Sequence, residues 1–287
     1  FLSATNAFYD VDATQYVNIF NGFVQNPWIP TAWLVCFVAV IHLVITRGVQ
    51  SGIERSAKVM MPALFVITLA LTVCSVSLPG ASRGIEFLLK PDWNKVDSNV
   101  ILQAMGQAFY SLSLAMGCLC TYASYFDKKT PLAKSAVNVA IIDTGIAIMA
   151  GFIIFPSVFN IGMTPDEVGV GASLTFISLP NVFQQAFGNG SFLAVVVSTM
   201  FYFLLFVAAL TSAISLHEVA TAYVSEEFGW SRKKAATLVT STIMAFGVLC
   251  SLSFGPLSNL TFLDRNIFEL FDDFSGMVLL PIGGMLI

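Results

Sequence analysis

Gly106-Gln107-Ala108-Phe109-Tyr110-Ser111-Leu112-Ser113-Leu114-Ala115-Met116-Gly117 is the stretch on which the reading of this chain turns. It lies inside an apolar run of residues 100–125, long enough as a helix to cross the roughly 30 Å hydrocarbon core of a bilayer. The middle of that run is poorly suited to a plain spanning helix. Serine hydroxyls compete for backbone hydrogen bonds, and glycine lowers the cost of leaving helical geometry. Backbone unwinds at membrane depth only where it is buried in protein or lines a polar cavity. Two readings are open from these residues. In one, the helix breaks over Ser111–Gly117 and offers carbonyls and hydroxyls to an ion and a solute. In the other, it is continuous and its serines bond back to the preceding turn.

The rest of the chain sets this run in a membrane. Of 287 residues, 56% are apolar and 10% charged, with a mean hydropathy of +0.81. Soluble domains carry about 25% charge, so the composition predicts a polytopic membrane protein. Apolar runs at 30–46, 59–78, 100–125, 136–155, 192–224, 235–254 and 267–287 read as membrane spans. They lack the alternation of barrel strands, so the expected fold class is an all-α polytopic helix bundle, with residues 1–287 in one membrane domain. The run from Phe192, if one helix to Phe228, reaches roughly 55 Å and must tilt or project from the bilayer. Residues 157–190 read as a helical lid over the outer side, with a short helix from Leu179-Pro180 to Phe187 and another opening at Thr164-Pro165-Asp166-Glu167. Residues 83–98 read as an outer loop anchored by Trp93.

Lys and Arg divide unequally between alternate loops. Arg47, Arg55, Lys58, Lys128, Lys129, Lys134, Arg232, Lys233 and Lys234 fall on one side, and Arg83, Lys90, Lys95 and Arg265 on the other. The richer set is expected in the cytoplasm. This places the protein in the plasma (inner) membrane with the N-terminus of this chain outside. A chain that starts outside at Phe1, without a signal peptide, reads as a piece whose preceding spans are missing. The net charge of −4 comes with no basic patch or nucleic-acid module. The five cysteines (Cys36, Cys74, Cys118, Cys120, Cys250) all lie in apolar runs and read as small hydrophobes rather than metal ligands. Membrane lipid is the expected surrounding partner.

Polar residues inside spans are the candidates for function. Asp143, ringed by Ala, Ile, Thr and Gly, carries a cost of about 2.5–3.5 kcal/mol even on insertion scales. Ala208, Thr211 and Ser212 share one helix face at i, i+3 and i+4. A carbonyl and two hydroxyls there suit a small cation, and small residues equally serve as glue between membrane helices. Glu218 reads either as a buried functional acid or as one meeting water. His42 reads as a packed or water-facing side chain. No nucleophile–base pair or metal-ligand cluster stands out in the sequence, which argues against an enzyme.

Several stretches together resemble the neurotransmitter:sodium symporter family, in its bacterial amino-acid branch. They are Arg47-Gly48…Gly52-Ile-Glu-Arg-Ser-Ala-Lys58…Met61-Pro62, Gly106-Gln-Ala-Phe-Tyr-Ser-Leu-Ser-Leu114, Thr121-Tyr-Ala-Ser-Tyr125, Phe176-Ile-Ser-Leu-Pro180, and Ala208-Ala-Leu-Thr-Ser-Ala-Ile-Ser215. They follow one another in the family's order from its fourth to its tenth helix. Broken helices in an inverted repeat are a known property of that architecture. The resemblance implies sodium-coupled uptake of an amino acid by alternating access, with Ser111–Gly117 as the unwound part of a helix.

Residue by residue, the resemblance implies a substrate site at Tyr110, Ser111, Ser113, Met116, Ser212 and Leu216, and sodium at Ser111, Asp143, Ala208, Thr211 and Ser212. Tyr110 and Asp272 fall at the outer gate, Tyr125 and Glu226 at the inner one. Met116 and Leu216 on the pocket side imply an apolar or aromatic amino acid. Asp143 stands where the family usually has Asn, and Ala147 where chloride-dependent members carry Ser, so the implied transporter uses Na⁺ and does not require chloride. Ala115 replaces a common glycine, which bears on how far the helix unwinds. The family's first three helices, with the remaining ligands and the arginines of both gates, are absent here, so transport belongs to a longer parent protein. Alternatives are a proton-coupled transporter with Asp143 as carrier, and a non-transporting scaffold or fragment.

Overall fold

A computed structural model describes residues 13–47, 50–119, 131–160, 162, 172–262 and 264–286. Among the described residues it is almost wholly helical. The helices are α1 Ala13–Val24, α2 Ile29–Arg47, α3 Gln50–Val76, α4 Ala81–Leu89, α5 Ser98–Ser111, α6 Leu132–Asn160, α7 Ala172–Phe187, α8 Phe192–Glu227 and α9 Arg232–Leu252. The last run divides into α10 Ile267–Asp273, a π-helical segment Phe274–Leu279, and α11 Leu280–Leu286.

Four of these, α2, α6, α8 and α9, are long and apolar enough to cross a membrane unaided. Three expected spans are built differently. The run 59–78 continues past Val76 into α4 through a bend of 112°. The run 100–125 stops being helical after Ser111, and 267–287 changes to π geometry midway. α8 is one unbroken helix of 36 residues, as its lack of Gly and Pro dictates.

Contacts gather into two compact units: residues 1–22, 55–92 and 144–208, and residues 23–54, 93–143 and 209–287. In the first, Leu71 of α3, Ile153 of α6, Leu179, Val182 and Phe183 of α7 and Phe201 of α8 form a buried core. The fully buried Ser75 hydroxyl donates to the Ile153 carbonyl at 2.7 Å, pinning α3 to α6. Two expectations are corrected here. Residues 83–98 are not simply a loop, because Gly80 takes a left-handed turn (φ 83) and lets α4 start immediately. Phe87 of α4 then packs on Phe155 and Phe159 of α6, which rewards helix formation.

The second correction concerns the lid. Ser157–Asn160 complete α6 rather than starting a loop, with Ser157 and Val158 buried. α7 begins at Ala172, before Leu179-Pro180, and Pro180 lies inside it. Ile177 and Phe176 extend its apolar face toward its start, Phe176 stacking on Tyr202 at 5.8 Å, so packing outweighs the lost proline bond. Thr164–Glu167 falls outside the described residues.

In the second unit, Ile41 and Ile45 of α2, Ile214 of α8 and Ala236 of α9 form one cluster. Asn26 accepts hydrogen bonds from the Trp28 and Ile29 amides at 2.9 and 3.0 Å, starting α2. Asn266 and Glu269 form a capping box that starts α10.

Candidate functional site

The sequence Ser111–Gly117 ends α5 by a defined route. The Leu114 amide donates to the Phe109 carbonyl at 2.8 Å and the Ser113 amide to the Tyr110 carbonyl at 3.1 Å. These are the two bonds of a Schellman termination, with Ser113 in the left-handed position (φ 55) normally held by glycine. Ala115 (φ 61) and Gly117 (φ 75) are left-handed as well. A non-glycine residue there costs about 1–2 kcal/mol. Ala115 is therefore no obstacle to unwinding; it is itself unwound. Helix resumes at Cys118 and Leu119, the last residues described before 131.

Packing holds this shape. A Cβ at Gly106 would lie 2.4 Å from the Gly276 carbonyl oxygen, so only glycine lets α5 approach the π segment this closely. Ala115 and Phe109 fill the spaces beside Gly283 and Gly284 of α11, where an added Cβ would meet them at 3.2 and 2.6 Å. Beyond the break, a Cβ at Gly117 would sit 3.2 Å from Val219 of α8. The glycines of α11 were not singled out by sequence; their close spacing on one helix was the available signal.

At the last turn of α5 the Ser111 hydroxyl lies 2.7 Å from each oxygen of the half-buried Asp143 carboxylate on α6. A hydroxyl of Ser normally bonds back to its own helix; here it is drawn to a charge on another. Chemically this is a carboxylate and a hydroxyl beside freed backbone, a hard-oxygen group suited to a small cation.

The other candidates are placed as follows. Tyr110 is exposed next to Ser111, and Ser113 and Met116 are half-buried within the unwound segment. Ala208 and Thr211 are half-buried and Ser212 exposed on α8, at the expected register; Ser215 donates to the Thr211 carbonyl at 3.0 Å. Leu216 is exposed one turn further on. Glu226, near the end of α8, and Asp272, on α10, are exposed. The neighbouring Asp273, rather than Asp272, pairs with Arg265 at 3.3 Å. Tyr125 lies outside the described residues. Glu218 is buried and paired with Arg232 of α9 at 2.6 Å.

These features define a class: a multi-pass, helical membrane protein in which one apolar helix opens beside a carboxylate of a neighbouring apolar helix. Comparison with known proteins makes the class specific. The model of the Sodium:neurotransmitter symporter family matches residues 2–286. An uncharacterized sodium-dependent transporter of Bacillus subtilis, YhdH, is 36% identical over 99% of this chain. One of Haemophilus influenzae is 37% identical over 89% of it. The crystal structure of MhsT in complex with L-phenylalanine superposes with a TM-score of 0.91 at 41% identity, covering 99% of this chain. The chain spans 61%, 54% and 63% of the lengths of these three proteins. It belongs to the sodium:neurotransmitter symporter family, a family of secondary transporters and not of enzymes.

Proposed function

We propose that the protein to which this chain belongs is a sodium-coupled symporter of an amino acid with an apolar or aromatic side chain. The observation that carries this reading is the interrupted helix with Ser111 held against Asp143. Family membership and the phenylalanine bound to the similar MhsT support it. Sodium is held by Ser111 and Asp143 at one site and by the Ala208 carbonyl with Thr211 and Ser212 at a second. Tyr110, Ser111, Ser113, Met116, Ser212 and Leu216 face the amino acid. Tyr110 and Asp272 gate the outer side, Tyr125 and Glu226 the inner side.

The coupling is one of linkage. An oxygen cage that exists only when the unwound segment and α8 are assembled is stabilised by its ion, and the assembled state is the one that binds solute. Ion and solute therefore raise each other's affinity by the same factor. Asp143 supplies a fixed negative charge, so chloride is not required. The basic loops face the cytoplasm, and residues 1–287 work as part of a single membrane domain completed by helices outside this chain.

The test is uptake of labelled phenylalanine by the full-length protein in proteoliposomes. Uptake is expected with an inward sodium gradient and to be unchanged when gluconate replaces chloride. Uptake driven equally well by a proton gradient without sodium would overturn the sodium reading, and no uptake or binding of any amino acid would leave a scaffold in its place.

A further inference from the structure

The sequence contains two histidines, and both reach the same hydroxyl. His42 Nδ1 on α2 lies 2.8 Å from Thr240 Oγ1 on α9, and His217 Nε2 on α8 lies 2.9 Å from that atom on its other side. The second nitrogen of His217, Nδ1, is 3.0 Å from the hydroxyl of Thr221 one turn along α8. His217 and Thr221 are buried and His42 is half-buried. Neither the candidate sodium residues nor the substrate residues belong to this chain of groups.

Counting hydrogens decides what it can do. A threonine hydroxyl has one hydrogen to give and lone pairs to accept with, and a neutral imidazole has one N–H and one bare nitrogen. With both rings neutral, the chain closes in either of two directions. Thr240 donates to His217 Nε2 and accepts from His42 Nδ1–H, while His217 Nδ1–H donates to Thr221. In the reverse sense Thr240 donates to His42 Nδ1 and accepts from His217 Nε2–H, and Thr221 donates to His217 Nδ1. One added proton fits both: a cationic His42 completes the first direction, and a cationic His217 the second once the Thr221 hydroxyl turns to accept from Nδ1–H. A second proton is opposed by charge: Thr240 can accept N–H groups from both rings, but its own hydrogen must then leave the chain, and two positive rings flank one oxygen.

Among the described residues, the titratable and charged groups around His217 are His42 on α2, Glu218 on its own helix, and Arg232 on α9. Glu218 and Arg232 are already matched at 2.6 Å, and the Arg232 Nε also donates to the Ile45 carbonyl of α2 at 3.3 Å. Their charges cancel locally, so this neighbourhood supplies no spare anion to hold a second proton. We propose that His42, Thr240 and His217 form a proton-binding site with a capacity of one, joining α2, α8 and α9 in both its empty and its filled state. The proton changes the charge of the hydrogen-bond chain and, by the ring that takes it, selects its direction without breaking it.

The test is ring-¹⁵N NMR of histidine-labelled full-length protein in lipid nanodiscs, from about pH 8 to about pH 5. The two signals are assigned by their loss in His42→Gln and His217→Gln. The two rings together are expected to gain one proton. Replacing His42 by Gln should move the titration midpoint of His217 by about one pH unit, a tenfold change in proton affinity, because the rings compete through one oxygen. Thr240→Ser should keep this coupling and Thr240→Val should abolish it. If the Val variant does not fold, the parent and the two Gln variants still decide. Both rings fully cationic at the acid end, neither ring titrating, or a midpoint shift below about 0.3 unit would overturn the proposal. None of these readings depends on transport.

Discussion

Two stretches of this chain are rich in hydroxyls and small residues within long apolar runs, and only one leaves the helix. Ser111–Gly117 unwinds, with left-handed Ser113, Ala115 and Gly117. Ala208–Ser215 stays helical in the middle of the 36-residue α8. Serine and threonine content does not separate them. The difference lies in where the hydroxyls find partners and in what surrounds the backbone. In α8, Ser215 bonds back to the Thr211 carbonyl, and the helix has no glycine. In α5 the Ser111 hydroxyl goes to Asp143 on another helix, and Gly106, Gly283 and Gly284 let the π segment and α11 press against the segment as it opens. A helix thus opens where an off-helix acceptor and close packing replace what the ladder loses; hydroxyls alone do not open it.

Substitutions at several positions probe that contrast. The largest effect is expected from Gly106→Ala, whose methyl would sit 2.4 Å from the Gly276 carbonyl oxygen, backbone that cannot simply step aside. A loss of about 3 kcal/mol in stability of the full-length protein is expected, measured by thermal denaturation in detergent; an unchanged melting temperature would mean the unwound segment is not held this way. Next, Thr211→Ala with Ser212→Ala should raise the sodium concentration for half-maximal uptake by about tenfold, equivalent to about 1.4 kcal/mol. Because alanine is the best helix former, α8 should keep its stability. A parallel fall in stability would make these hydroxyls packing groups.

Smaller and opposite in sign, Ser113→Gly and Ala115→Gly should each stabilise the protein by about 0.5–1 kcal/mol, the relief of left-handed strain less the greater freedom of glycine in the unfolded chain. A destabilisation of that size would show that the strain is absent. The same change at Ser215 in α8 should be unfavourable by about 0.5 kcal/mol. Smallest is the exposed Glu86–Lys90 pair on α4, at 2.9 Å. The hydrogen bond from Lys90, then its charge, holds the Glu86 carboxyl below its usual range, and Glu86 raises Lys90 in the same order of causes. The contribution of Glu86 is lost as pH falls through its lowered range, and that of Lys90 as pH rises through its raised one. Between roughly pH 6 and 9 both are charged, so Lys90→Ala should shift the melting temperature little and by a constant amount across that window.

Much of this is legible in the sequence. α2, α8 and α9 follow from long apolar runs bounded by charged or polar loops, and the break follows from serine and glycine placed where a span should be uniform. The left-handed Ala115 was not legible, since alanine has no local reason to take that conformation; it does so lodged against Gly283. α4 was hidden because its polar, charged surface reads as loop until Phe87 is seen on Phe155 and Phe159. The π turn of 274–279 leaves no mark in composition. Adjacent Asp272 and Asp273 cannot be ranked by sequence, and the ion pair to Arg265 falls to Asp273. His217 has no motif around it on α8; its link to His42 runs through a hydroxyl of α9 and shows only in the packed helices.

We propose that the opened helix holds a cation between Ser111 and Asp143. It is tested most directly by titrating sodium against labelled phenylalanine binding in the full-length protein, in parent, Ser111→Ala and Asp143→Ala forms. Asp143→Ala should raise the sodium requirement by at least about tenfold and Ser111→Ala by a lesser amount, as expected for losing a charged and then a neutral ligand. Sodium curves that superpose for all three proteins would contradict it.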